Sequence, residues 1–263
     1  MMSSGVIFNV KDNIGIVQMN NPNRANALSS FLIKNLQEQV RILAKNDHLH
    51  AVIFTAGKSH SFSSGADLKE RQEMDEADIL SYVSVLRETF NEIALLPMPT
   101  IAAIKGLALG GGCELSLACD IRVMEESAVI GLTEVSWGII PGAGGTQRLQ
   151  QLVGIGMAKK LIFTAEKLNS CDALKCGLVE EICSDGEAEM KAFQISKKIS
   201  ENSARSVRLA KKAINGLLES NLLSGLQKEW DFYQKTIPHP DRLEGLAAFR
   251  EKRSPNYSRT MKF

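Results

Sequence analysis

The stretch PTIAAIKGLALGGGCELSLACDIRV, residues 99–123, decides how this chain is read. TIAAI (100–104) is a short apolar run of the kind that forms a fully buried strand, and Pro97 and Pro99 stop any helix before it. GLALGGG follows, then CELSLACD, which is apolar on one face and compatible with a helix starting at the glycines. DIRVM (120–124) returns to strand. Strand, glycine-rich junction, helix and strand in this order make an α/β unit.

The same alternation extends outward. GVIFNV (5–10) and IGIVQM (14–19) predict two strands in a hairpin around Lys11-Asp12-Asn13. NNPNRANALS is a polar loop, and Ser29 or Ser30 caps the helix FLIKNLQEQVRILAKN. AVIFTA (51–56) reads as a buried strand, GKSHSFSSGAD (57–67) as a loop, and 75–96 as a long amphipathic helix. Beyond about residue 185 the pattern is helical, with segments at 187–200, 203–219, 221–235 and 241–252. The expectation is an α/β core over 1–195 and a helical segment over 196–263, with no linker between them.

Composition narrows the function. The chain has 263 residues, 44% hydrophobic and 23% charged, enough to bury a core without disulfides or a structural metal. Lys and Arg number 31 against 30 Asp and Glu, so no overall field suits nucleic acid or membrane. The odd set of Cys113, Cys119, Cys171, Cys176 and Cys183 contains no C-x-x-C, and with four scattered histidines it offers no metal spacing. No apolar run reaches the roughly 18 residues of a membrane span, and MMSSGVIFNVKDN lacks the basic or Arg-rich pattern of a leader. A soluble, cytoplasmic protein is expected.

Two glycine clusters dominate, GLALGGGCELSLACD (106–120) and GIIPGAGGTQRL (138–149). Gly142-Ala143-Gly144-Gly145-Thr146-Gln147 lacks the third glycine of a dinucleotide fingerprint, and Val52 stands where a P-loop ending at Gly57-Lys58-Ser59 needs its first. Gly110-Gly111-Gly112 instead bring bare backbone close to a ligand, with free N–H groups at a helix start as in an oxyanion hole. The same glycines would also serve a tight strand–helix junction. Glu114, among Cys113, Leu115 and Leu117, and Glu134, in IGLTEVSWGIIPG, are either surface charges or an acid/base pair facing one cleft.

Five ordered blocks resemble the enoyl-CoA hydratase/isomerase (crotonase) superfamily: NPNRANALS (21–29), SFSSGADLKE (61–70), PTIAAIKGLALGGGCELSLACDIRV (99–123), TEVSWGIIPGAGGTQRL (133–149) and DRLEGLAAFREKRSP (241–255). The resemblance implies a crotonase-like spiral of strand–strand–helix units with a C-terminal helical trimerisation segment. It implies hydration of a 2-enoyl-CoA thioester in fatty-acid or branched-chain amino-acid breakdown, by a homotrimer or homohexamer. No metal and no cofactor is implied beyond the coenzyme A of the substrate.

Carried over position by position, the oxyanion hole uses the backbone N–H groups of Ser64 and Gly111. Glu114 takes a proton from water as its oxygen adds to C3, and Glu134 delivers one to C2. Coenzyme A lies along 24–28 and 64–69, touching Arg24, Ala25, Ala66, Asp67, Leu68 and Lys69. Phe249 and Lys252 match positions that reach it from a neighbouring subunit. Trp137 either narrows the acyl pocket or fills the core. Competing readings are an isomerase, which needs only one base, and decarboxylation or dehalogenation of an acyl-CoA. The C-terminal block is especially similar to the methylglutaconyl-CoA hydratase branch, one member of which also binds AU-rich RNA. The helix at 31–46 offers only Lys34, Arg41 and Lys45, offset by Glu38, so no nucleic-acid partner is expected.

Overall fold

The computed structural model describes residues 5–218, 222–237 and 239–257. Strands β1 (Gly5–Lys11) and β2 (Ile14–Asn20) form the expected hairpin. Asp12 and Asn13 both take left-handed backbone (φ 53° and 59°), as a two-residue turn between right-twisted strands requires.

From β2 the chain winds as a spiral. Successive turns add β3 (Ala51–Thr55), β4 (Thr100–Ile104), β6 (Ile121–Glu125) and β9 (Glu181–Cys183) to one six-stranded sheet, ordered β1-β2-β3-β4-β6-β9. Every pairing after the hairpin is parallel. β5 (Leu107–Leu109) and β7 (Val129–Gly131) directly follow β4 and β6 and join β8 (Leu168–Asn169) in a second, smaller sheet. In the turn after β3 the second strand shrinks to one bridge, Ser63 against Ala108, in parallel.

Helices cover both faces of the large sheet, which is why β3 and β4 are buried at every position and apolar apart from Thr55 and Thr100. On one face α1 (Ser30–Leu43), α3 (Glu76–Ala94) and α4 (Gly111–Ala118) enclose the main core, with Leu32, Leu36, Phe90, Ile93 and Leu115 against Phe54 and Ala102. Ser29 caps α1 by accepting from the Leu32 N–H (3.2 Å), and Asp75 caps α3 from the Asp78 N–H (2.8 Å). On the other face Ala188 and Ala192 of α8 (Ala188–Ser200) pack on Ile14, Ile53, Ile101 and Val123. The division expected at 195/196 therefore falls inside a helix of the layered core, which runs on to Ser200.

Beyond it come α9 (Ala204–Leu218), α10 (Leu222–Gln234) and α11 (Pro240–Glu251), close to the helical segments read from the sequence. Two buried cations moor α9 to the core. Arg208 donates to the Leu49 carbonyl (2.9 Å), and Lys211 to the Met98 carbonyl (3.0 Å) and the Asp120 carboxylate (2.6 Å). Such partners offset the cost of burying charge. α10 and α11 leave Trp230, Leu243, Leu246 and Phe249 exposed.

Candidate active site

Three turns of the spiral meet where β5 runs into α4. The two readings of the glycine trio divide among its members. Gly110 sits at φ 51°, ψ −123°, and a β carbon there would lie 3.2 Å from the Glu134 Oε1. At Gly112 a β carbon would lie 2.4 Å from the Ser63 carbonyl oxygen, so this residue is a close-packed junction. Gly111 opens α4, and its N–H has no intrahelical acceptor.

The opposing loop differs from expectation. The Ser64 N–H donates to the Ala25 carbonyl (3.0 Å), so it is already used. Leu28 bridges Ala66 in parallel, and the Leu28 N–H donates to the Gly65 carbonyl (2.8 Å). That register turns the Ala66 N–H away from Leu28. It makes no hydrogen bond among the described residues. Gly65 lies against α4: a β carbon on it would be 2.8 Å from the Leu109 carbonyl oxygen and 3.6 Å from the Gly111 nitrogen. The free donor of this loop is thus Ala66, two residues past Ser64.

Glu114 is on the first turn of α4 and 2% exposed. Its Oε1 accepts from the Ala143 and Gly145 N–H groups, both at 2.8 Å, supplied by the Pro141–Gly145 turn. Burial pushes its carboxyl up, and those two donors and the Arg148 charge work against the shift. Arg148 was not singled out in the sequence. It is held by the Ala143 carbonyl (2.9 Å) and the Asn91 Oδ1 (2.7 Å). The C-terminal end of α4 is closed by buried Arg122, which donates to the Cys119 carbonyl (2.7 Å) and the Ser116 carbonyl (3.3 Å).

Glu134 begins a single 3-10 turn (Glu134–Trp137) after β7. Its Oε2 is buried with no hydrogen-bond partner among the described residues. Burial, then the neighbouring Glu114 charge, pushes its carboxyl up to about 7. The sign of the linked stability follows. From about pH 4.5, the ordinary value, to about pH 7 the folded protein keeps a proton that the unfolded chain has released. Stability therefore falls as pH rises through this window, by up to about 3 kcal/mol before solvent screening is discounted. Urea unfolding at about pH 5 and about pH 8 should show wild type losing more stability than Glu134→Gln over this interval; equal losses would refute the raised value.

Between the loops 24–28 and 64–69, Arg24 forms an ion pair with Asp67. Asp67 also caps α2 (Leu68–Arg71), accepting from the Lys69 N–H (3.2 Å) and the Glu70 N–H (3.3 Å). Burial raises the Asp67 carboxyl, but the Arg24 bond and the cap bonds outweigh it and hold it below the usual range. Arg24 and Asp67 thus brace the two loops, and neither charge stands free. Ala25 is left-handed (φ 49°), and Leu68 and Lys69 are exposed. Phe249 is 84% exposed on α11, and Lys252 is its left-handed C-cap. Trp137 is 66% exposed, so it does not fill the core. Arg41 is engaged by Glu92 (2.8 Å), which further thins the basic face of α1. Among the described residues no group of three or more His, Cys, Asp or Glu could hold a metal ion, and no helix is long and apolar enough to cross a membrane.

Residues 9–260 match the family described as enoyl-CoA hydratase/isomerase. Among curated proteins, human enoyl-CoA hydratase domain-containing protein 2, mitochondrial, is 43% identical over 245 residues, 92% of this chain and 84% of that protein. Human methylglutaconyl-CoA hydratase, mitochondrial, is 44% identical over 254 residues, 94% of this chain and 75% of that one. The crystal structure of an enoyl-CoA hydratase from Bacillus anthracis superposes with a TM-score of 0.94 at 43% identity, covering 97% of this chain and 99% of that one.

Proposed function

The chain belongs to the enoyl-CoA hydratase/isomerase family, and from that premise we propose that it adds water reversibly across the 2,3 double bond of a 2-enoyl-CoA thioester. The observation that carries this reading is the pair Glu114 and Glu134: one carboxyl raised by burial against two N–H groups on its Oε1, the other with its Oε2 buried and without a hydrogen-bond partner among the described residues and raised to about 7. Neighbouring carboxyls with unlike hydrogen-bond partners can divide the work of a base and an acid.

The thioester carbonyl accepts from the Gly111 and Ala66 N–H groups. These donors oppose the negative charge that grows on oxygen as the enolate forms, and the α4 dipole adds to them. A water molecule rests between the glutamates. Glu114, its Oε1 fixed by two donors, uses Oε2 to take the proton as the water oxygen bonds to C3. Glu134 then protonates C2. Coenzyme A lies over residues 24–28 and 64–69, with exposed Lys69 available to its phosphates, and Phe249 and Lys252 reach it from a second subunit. The exposed apolar faces of α10 and α11 support a homotrimer or a hexamer of two trimers. The reaction needs no cofactor beyond its substrate. The five free thiols fit a reducing compartment such as the cytoplasm.

Double-bond isomerisation needs only one proton shuttle and would leave Glu114 without a task. Initial rates with crotonyl-, 3-methylcrotonyl- and 3-methylglutaconyl-CoA test both the reaction and the acyl group. Formation of a 3-hydroxyacyl product from at least one is expected. Migration of a double bond without water uptake would replace this reading with the isomerase.

A further inference from the structure

We propose that Asn26, a residue outside the reacting set, is the positioning residue that sets the Ala66 N–H in the oxyanion hole; this rests on the hydratase reading above. Asn26 is fully buried and left-handed (φ 52°), directly after left-handed Ala25. A side chain at such a position is uncommon, and asparagine tolerates it best among non-glycine residues.

Every polar atom of Asn26 is engaged. Its Oδ1 accepts from the Asn21 N–H (2.8 Å), tying the loop to its own start. Its Nδ2 faces the carbonyls of Ala56 (3.1 Å), Ser61 (3.1 Å) and Phe62 (3.3 Å), all on the loop that leaves β3. Its backbone carbonyl accepts from the Ser63 Oγ (2.8 Å), and that same Oγ accepts from the Gly65 N–H (3.2 Å). A continuous relay thus runs from Asn26 through Ser63 to the peptide before Ala66.

The neighbours of Asn26 act in the same sense. Ala25 takes the Ser64 N–H, and Leu28 donates to the Gly65 carbonyl. The peptides of Ser63, Ser64 and Gly65 ahead of Ala66 are fixed, and the Ala66 N–H makes no hydrogen bond among the described residues. Only a primary amide does this, because three carbonyls need N–H donors while the Asn21 N–H needs an acceptor. An aspartate would turn a charged oxygen toward three carbonyl oxygens. The loop that carries coenzyme contacts is thereby rigidly coupled to a donor that acts on the reacting carbonyl.

The test uses Asn26→Asp and, with the Asn26 backbone untouched, Ser63→Ala. Readouts are kcat, KM for crotonyl-CoA, and the absorption of a bound chromophoric cinnamoyl thioester, which moves to longer wavelength when its carbonyl is polarised. Asn26→Asp should lower kcat toward the roughly 10²-fold loss of one oxyanion donor, change KM less than about 3-fold and lose most of the red shift. Ser63→Ala should lose about 10-fold in kcat and part of the shift. Folded Asn26→Asp with wild-type kcat and shift would overturn the proposal, as would a raised KM at unchanged kcat. Should Asn26→Asp not fold, Ser63→Ala with wild-type kcat and shift would overturn it alone. A wild-type protein that binds the chromophore without any shift would instead refute the oxyanion hole itself.

Discussion

Glu114→Gln is expected to lower hydration of crotonyl-CoA by at least about 10²-fold, the usual scale of general acid–base catalysis. The amide keeps the shape of the side chain and still accepts from Ala143 and Gly145, so the Pro141–Gly145 turn stays in place. What disappears is the basic oxygen that deprotonates water. The charge that helps raise Glu134 disappears as well, so the pH profile of residual activity should move its upper limb below about 7. Any 3-enoyl to 2-enoyl isomerase side activity should fall less, because one shuttle suffices for it. Glu134→Gln should abolish both, since nothing else in the site supplies the C2 proton. Steady-state hydration and isomerisation assays on the two variants decide the matter: normal hydration by Glu114→Gln would end the two-carboxylate mechanism.

Replacing Gly111 by proline should cost about 10²–10³ in kcat, or roughly 3–4 kcal/mol, the effect of deleting one oxyanion donor. Gly111 occupies the first position of α4, where proline's fixed φ suits a helix and the N–H has no intrahelical acceptor to lose. The new side chain would meet the Leu28 Cδ1 at 3.0 Å, the far end of a flexible group. Gly111→Ala makes the same contact and keeps the N–H, so it should stay within about 10-fold of wild type. Circular dichroism secures the fold of both variants. A folded Gly111→Pro enzyme turning over as fast as Gly111→Ala would remove this N–H from the mechanism.

What could be read before the structure was whatever one segment settles alone. AVIFT and TIAAI are apolar but for one threonine each because both sheet faces are covered, and their composition says so directly. Asp12-Asn13 and Ser29 announce their turn and cap by local chemistry. The three-residue strands LAL and VIG are too short for any period to mark them. The glutamate pair was recognisable, but which members of the glycine trio pack and which one donates depends on Ser63 and Glu134, brought from other turns. That the Ser64 N–H is spent on the Ala25 carbonyl was hidden for the same reason. In an extended loop alternate N–H groups face opposite sides, and the phase is set by the Leu28–Ala66 bridge, which no local pattern records. Arg24 and Asp67 read as separate binding residues because their ion pair spans 43 positions.

The parallel wiring of the large sheet has a kinetic consequence. Apart from the β1–β2 hairpin, each strand pair is closed by a long excursion of chain, and non-local closure of this kind makes folding slow. Ala66, Gly111 and Glu134 each belong to a different excursion. On dilution from denaturant, local helix contacts are expected to form before the crossovers are complete, whereas turnover should begin only after three of them have docked. Recovery of activity is in this sense a clock for the last stages of folding, and a burst of helical signal says nothing about how many molecules can work.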